Sequence, residues 1–242
     1  MKLFVYETYE SMSARAAEAV MYVINSKKNA VLCPASGDSP AGLYKKLVAH
    51  IKENEIDISG LYFISLDEWL GMNGNDEGSC RYHLNNQLFH PLYVSENNIA
   101  FFDGRALDPQ MECERIDDAI EAHGGIDMAI VGLGMNGHVG MNEPGTSPHL
   151  HSHVAEIDPI TQQVGQKYFK EKKEIGGGLT LGIANLMEAK NVMLVVSGNK
   201  KAGILRKILE EEISEELPAS LLRNHPNFSV YLDAEAASLL KK

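Results

Sequence analysis

The stretch Gly132-Leu133-Gly134-Met135-Asn136-Gly137-His138-Val139-Gly140-Met141-Asn142-Glu143-Pro144 holds the residue types and spacing best suited to chemistry. It follows an apolar run that reads as a strand, and ligands in open α/β sheets bind at such strand ends. An imidazole set among glycines, with a carboxylate soon after, is an unusual composition for a packed core. His138 suits proton transfer near neutral pH, and Glu143 lies close enough in sequence to orient its ring. The first six residues match G-x-G-x-x-G. A dinucleotide fingerprint should however open a helix of several turns, and Pro144 with the further glycines Gly140 and Gly145 argues against one. The glycines read instead as exposing backbone N–H groups, with Gly132 and Gly134 as candidate donors to a developing oxyanion.

A second constellation is Ser65-Leu66-Asp67-Glu68-Trp69, two carboxylates after an apolar strand. Asp67 at the strand end is a candidate general base, although it could equally cap a turn, and Glu68 reads as solvated. The third is Ser36-Gly37-Asp38-Ser39-Pro40. There a polar turn leads into a helix, with Ser39 as the expected N-cap and Pro40 at the first helical position. Exposed N–H groups and hydroxyls at a helix N-terminus suit a phosphate, which Asp38 would repel if it pointed inward. Lys167 and Lys201 are the candidate cations for such an anion, although most surface lysines are simply solvated.

His149, His151 and His153 alternate as strand residues would, but no acidic or thiol partner stands at a metal-ligand spacing, so no metal is expected. Cys33, Cys80 and Cys113 form no C-x-x-C pair, which suits a reducing cytoplasm. Cys80, beside Arg81 near a helix start, is either an activated thiol or a space-filling residue, and the second reading is favoured.

These groups need a scaffold that gathers strand ends. Short apolar runs at Leu3–Tyr6, Ala30–Pro34, Leu61–Leu66, Ile99–Phe102, Asp127–Leu133, Leu179–Ile183, Val192–Val196 and Phe228–Leu232 read as strands. Helical patterns at Met12–Ile24, Pro40–Ile51, Tyr82–Phe89, Met111–Ala122 and Lys200–Glu212 alternate with them. The rhythm predicts an α/β fold, a doubly wound and mostly parallel sheet with helices on both faces, in a single domain spanning 1–242. The stretch 157–178 joins a charged run to Gly176-Gly177-Gly178, and its composition suits a mobile lid or a solvated surface turn equally.

The chain has 242 residues and a formal net charge of −11, which disfavours nucleic acid as a partner. No apolar run reaches the roughly 20 residues of a membrane span, and the start lacks a signal core, so a cytoplasmic protein is expected.

In these motifs and their order the chain resembles the glucosamine-6-phosphate deaminase/isomerase family nearly end to end. Ser36-Gly37-Asp38-Ser39-Pro40, Asp67-Glu68-Trp69 and Asn136-Gly137-His138 with Asn142-Glu143-Pro144 carry the resemblance. Leu179-Thr180-Leu181-Gly182, Gly198-Asn199-Lys200-Lys201 and Pro218-Ala219-Ser220 support it. The 6-phosphogluconolactonases share the fold but typically lack the Asn-Glu-Pro. Sugar-phosphate-sensing modules of regulators also share it. They normally carry a helix-turn-helix ahead of the first strand, which here begins at Leu3.

The resemblance implies isomerisation of an amino-hexose 6-phosphate to a ketohexose 6-phosphate with loss of ammonium, requiring no cofactor. It implies Asp67 as the base moving a proton between C2 and C1, His138 as the group assisting ring opening, and Glu143 as its orienter. It also implies a phosphate held by Ser36, Gly37 and Ser39 with Lys167 and Lys201. A homo-oligomer is compatible with it. Asn136 stands where glucosamine enzymes usually have Asp, Gly37-Asp38-Ser39 where they have Gly-Gly-Thr, and Lys167 where they have Arg. The Asn-Gly-His-x-Gly-x-Asn-Glu-Pro-Gly form, with Pro218-Ala219-Ser220 and the Thr161-Gln162-Gln163 run, more closely resembles the galactosamine-6-phosphate branch, and Asp38 is a candidate contact to the sugar hydroxyl that separates the two epimers. An amide at 136 can hold an imidazole but stabilises its protonated form less than a carboxylate would.

Overall fold

The computed structural model describes residues 1–171 and 175–241. Its strands are β1 (Lys2–Tyr6), β2 (Val31–Pro34), β3 (Tyr62–Ile64), β4 (Asp67–Trp69), β5 (Ile99–Ala100), β6 (Met128–Val131), β7 (His153–Ala155), β8 (Gly178–Thr180), β9 (Val192–Val196) and β10 (Phe228–Asp233). Its α-helices are α1 (Tyr9–Ser26), α2 (Asp38–Glu53), α3 (Cys80–Leu84), α4 (Pro109–Ala122), α5 (Pro159–Gly165), α6 (Ile183–Glu188), α7 (Ala202–Glu210) and α8 (Pro218–Leu221).

Among the described residues, seven strands form one sheet in the order β1-β10-β9-β6-β2-β3-β5, every pair parallel. The parallel, doubly wound expectation holds for this sheet. Its central strands β6 and β9 are buried throughout, because helices cover both faces and leave no polar side to alternate with. On one face Met12, Val20, Leu43 and Leu47 of α1 and α2 pack against Leu32 and Ile130. On the other, Ile116 of α4 and Leu205 and Ile208 of α7 pack against Val131 and Leu194. α1 begins at a reciprocal cap in which the Ser11 N–H donates to Thr8 Oγ1 and the Thr8 N–H to Ser11 Oγ, both 3.1 Å. From β2 the chain runs outward to β3 on one side, while β6 lies on the other, so the order reverses between β2 and β6. A crevice at the carboxyl ends of those two strands follows from the topology.

A second sheet, β4-β8-β7, is antiparallel and was not anticipated. The expected strand Leu61–Leu66 pairs only through Ile64; the Ser65 hydroxyl then accepts the Phe102 N–H at 2.9 Å and the chain turns out of the main sheet. Asp67 therefore opens β4, opposite Thr180, rather than closing a core strand. The run expected as a strand at Leu179–Ile183 supplies β8 of this smaller sheet, with Ile183 already in α6. Gly178, expected to loosen the backbone, is a ladder residue facing Trp69; a Cβ there would lie 1.9 Å from Met141 Sδ, so close packing is what requires glycine. Lys172, Lys173 and Glu174 of the charged run lie outside the described residues. The helix expected over Tyr82–Phe89 is α3 followed by a wider turn at Asn85–Phe89. None of the described helices is long and apolar enough to cross a membrane.

Candidate active site

The crevice between β2 and β6 encloses about 920 Å³. Into it face the turn after β2, the start of β4, the glycine-rich loop after β6, the α5 segment and the turn after β9. Ser36, Gly37, Asp38, Ser39, Asp67, Gly132, Gly134, His138, Lys167 and Lys201, drawn from segments far apart in the chain, all line it. Asn136 and Glu143 sit behind His138.

On one wall stands Asp67. Its carboxyl is pushed up to about 6 by burial; the Cys80 thiol, donating to it, and the charge on His138 act the other way. A carboxylate in this range is ionised at neutral pH yet more basic than an exposed one, as a general base requires. Its neighbour Glu68 corrects the expectation of a solvated side chain. Side chains alternate along β4, so with Asp67 toward the crevice Glu68 turns inward and has no exposed surface. Its Oε1 accepts the N–H groups of Trp69 (2.8 Å) and Cys80 (2.9 Å), and its Oε2 that of Arg81 (2.9 Å). Glu68 thus ties β4 to the first turn of α3, and burial still pushes its carboxyl up to about 7. Burial likewise drives the Cys80 thiol well up, which makes it a neutral donor and not the activated nucleophile considered from sequence.

On another wall, Gly134 lets the backbone meet the imidazole: a Cβ there would lie 2.3 Å from the His138 ring. The Gly134 N–H donates to the His138 carbonyl at 2.9 Å and is spent on the turn, which removes it as an oxyanion donor. Gly137, at φ +91°, makes the turn possible. Behind the ring, the Asn136 amide donates through Nδ2 to Glu143 Oε2 at 2.7 Å, which turns its Oδ1 to His138 Nδ1, also 2.7 Å. A carboxylate only accepts, so this amide orientation and a proton on Nδ1 follow from the hydrogen bonds; in the neutral imidazole the lone pair is then on Nε2. Glu143 Oε2 approaches Nδ1 at 3.3 Å. Burial opposes its charge, yet His138 beside it, the bond from Asn136 and the nearby Thr161 hydroxyl outweigh burial and lower its pKa.

The anion end is built around α2. Its N-cap is Gly37, at φ +120°, so the helix starts at Asp38 and not after Ser39. That conformation is open to glycine and lets the chain enter the helix earlier than a capping hydroxyl would. The Ser39 hydroxyl meets Ser197 Oγ at 3.1 Å. The Lys167 ammonium is ion-paired with Asp38 at the exposed rim. Burial works against the charge of Lys167, but the Asp38 hydrogen bond and charge prevail and raise its pKa. Lys201 donates to the Leu133 carbonyl, and burial, reinforced by the charge of Lys167, lowers it to about 8. An incoming phosphate would relieve that repulsion.

The three imidazoles at 149, 151 and 153 do not converge: His151 Nε2 meets Glu188 Oε1 at 3.0 Å and His153 Nδ1 meets the His151 carbonyl at 2.9 Å. Sequence reasoning missed Glu68 and Thr161 as members of the site. Strict alternation along a strand starting at Asp67 would have turned Glu68 inward, but nothing local to Thr161 signals its proximity to His138.

A parallel α/β sheet whose switch point gathers an acid, an imidazole and a helix N-terminus defines the class: an open α/β protein with a polar crevice at its strand ends, the place where such sheets bind ligands. The chain belongs to the glucosamine-6-phosphate isomerases/6-phosphogluconolactonase family, whose model matches residues 6–230. It is 36% identical over 241 residues to a glucosamine-6-phosphate deaminase of Geobacillus sp. (strain WCH70), covering 99% of this chain and 96% of the relative. It is 34% identical over the full length of both chains to a glucosamine-6-phosphate deaminase of Clostridium perfringens (strain 13). A solved structure described as a monomeric glucosamine-6-phosphate deaminase superposes with a TM-score of 0.95 at 34% identity, covering 99% of this chain and 100% of that one. The 6-phosphogluconolactonase of Trypanosoma brucei, 20% identical with a TM-score of 0.77 over 99% of this chain and 98% of that one, shares the fold.

Proposed function

We propose that this chain converts an amino-hexose 6-phosphate and water into the ketohexose 6-phosphate and ammonium. The observation that carries the reading is the meeting of Asp67 and His138 in one crevice, with Lys167 and Lys201 beside a helix N-terminus in the same crevice. The relatives' names supply the reaction class.

His138, with Nε2 free, would move a proton to or from the ring oxygen as the sugar opens. Asp67 would then take the proton from C2 and return it to C1 through an enolamine; the resulting C2 imine adds water and expels ammonia. Glu143, acting through Asn136, would hold the imidazole in its working tautomer. The Gly132 N–H is the remaining glycine donor proposed for the developing oxyanion. Ser36, Gly37 and Ser39 with Lys167 and Lys201 would hold the phosphate.

Two observations divide the epimers. The deaminase relatives named above are glucosamine enzymes, whereas the Asn136-Gly137-His138 form, the Thr161-Gln162-Gln163 run and Pro218-Ala219-Ser220 lean toward galactosamine 6-phosphate. Ammonium release from each amino-sugar phosphate, with 6-phosphogluconolactone hydrolysis run beside it, tests the reading. Release from at least one is expected, and lactone cleavage with no ammonium from either overturns it. If Asp38 reads the distinguishing hydroxyl, Asp38→Gly changes the ratio of kcat/KM between the epimers by about tenfold. An unchanged ratio leaves Asp38 as the partner of Lys167 alone. Lys201→Ala is expected to raise KM about tenfold with kcat within about threefold, since a phosphate contact persists from ground state to transition state. Steady-state kinetics in which kcat falls and KM holds would assign Lys201 to the chemistry.

A further inference from the structure

His138 Nδ1 has a third oxygen within reach: the Thr161 hydroxyl, 3.0 Å away. Thr161 is nearly buried, and its hydroxyl is among the groups that hold Glu143 ionised. Asn136, Glu143 and His138 all lie on the loop after β6, so their arrangement is local. Thr161 comes from α5, an element that also leads directly into the short turn Gln166–Tyr168 bearing Lys167. One short piece of chain therefore touches the imidazole at one end and carries the rim cation at the other.

Nδ1 has a single proton, already directed at Asn136 Oδ1. The Thr161 hydroxyl oxygen then lies against the ring edge as a second acceptor beside that N–H. Moving α5 away would take this contact from the ring.

We propose that Thr161 is a positioning residue that couples capture of the substrate phosphate by Lys167 to the orientation of the His138 imidazole. The inference rests on the deaminase reading and adds to it a means by which the segment over the crevice governs the proton-transfer group. It also predicts that sugars without a phosphate turn over poorly even when saturating.

The protein carries its own reporter for this segment. Trp69 is the single tryptophan; its ring lies 3.5 Å from a Cβ built on Gly165, and the Phe169 ring meets it edge-on at 6.4 Å between centroids. Trp69 emission can be titrated with a 2-amino-2-deoxyalditol 6-phosphate, which lacks the C1 carbonyl and cannot react. Emission is expected to respond in wild type and in Thr161→Val with affinities within about twofold, while kcat of the variant falls about tenfold and KM holds. Thr161→Ser, which keeps the hydroxyl, is expected to recover kcat to within about twofold. Full kcat in Thr161→Val overturns the proposal. So does a loss of analogue affinity equal to the loss of kcat/KM, because Thr161 would then only hold the segment in place. Analogue binding by wild type with no ammonium from either amino sugar would instead overturn the deaminase reading, and this inference with it.

Discussion

Asp67→Asn is expected to lower kcat by about a thousandfold or more and at the same time to stabilise the folded protein at pH 8. The first effect follows from removing the group proposed to carry the proton between adjacent carbons. The second follows from burial, which pushes the Asp67 carboxyl from 3.8 to about 6. Because the folded state binds this proton more tightly than the unfolded chain does, the ionised carboxylate costs folding stability above about pH 6. That cost fades as the pH falls toward the unfolded value. A neutral amide of the same shape escapes it, with a gain of about 1–3 kcal/mol at pH 8 and little or none near pH 4. Urea unfolding at the two pH values, beside ammonium release, measures both arms. A variant as active as wild type would end the role proposed for Asp67, and one less stable at pH 8 would contradict the burial argument. On the same grounds wild-type kcat/KM should fall below about pH 6 as Asp67 protonates.

The adjacent carboxylate should behave in the opposite way. Glu68→Ala strips the acceptors from the Trp69, Cys80 and Arg81 N–H groups at a position with no exposed surface. Each orphaned buried donor costs about 1–3 kcal/mol, and with partial relaxation a loss of about 3–5 kcal/mol is expected. Activity should fall with it, because β4 carries Asp67 and α3 begins with the Cys80 that donates to that carboxylate. Glu68→Gln is expected to lie between: one oxygen can still accept the bonds made by Oε1, but the amide NH2 would face the Arg81 N–H. Thermal unfolding of the set Ala, Gln and wild type should therefore rank in that order. Equal melting temperatures would show that water or a backbone shift satisfies the three donors. Burial makes the charge of both acids costly, but Glu68 also accepts three backbone N–H groups, which its removal would leave unpaired.

The site was legible where chemistry and local backbone coincide. Glycines beside His138 announced a turn that a side chain would obstruct, and Gly134 proves to touch the ring. The serine and glycine turn before α2 announced a helix N-terminus, although the cap is Gly37, because a left-handed φ is not visible until the helix start is known. Asp67 was placed at the crevice for a partly mistaken reason. It was expected at the end of a core strand, and it stands in a second sheet made by pairing with residues more than a hundred positions later.

What the amino-acid sequence determined by itself was the alternation of strands and helices and the residue types brought to the strand ends. Apolar periodicity and backbone propensity act over a few residues and need no distant partner. Only the tertiary structure decided which of two adjacent acids faces the crevice and which is buried beneath it, that Asp38 spends its charge on Lys167, and that Thr161 reaches His138. Each of those outcomes depends on long-range pairing: a register between β4 and β8 or the path of α5. A shift of one residue in such pairing would exchange inside for outside.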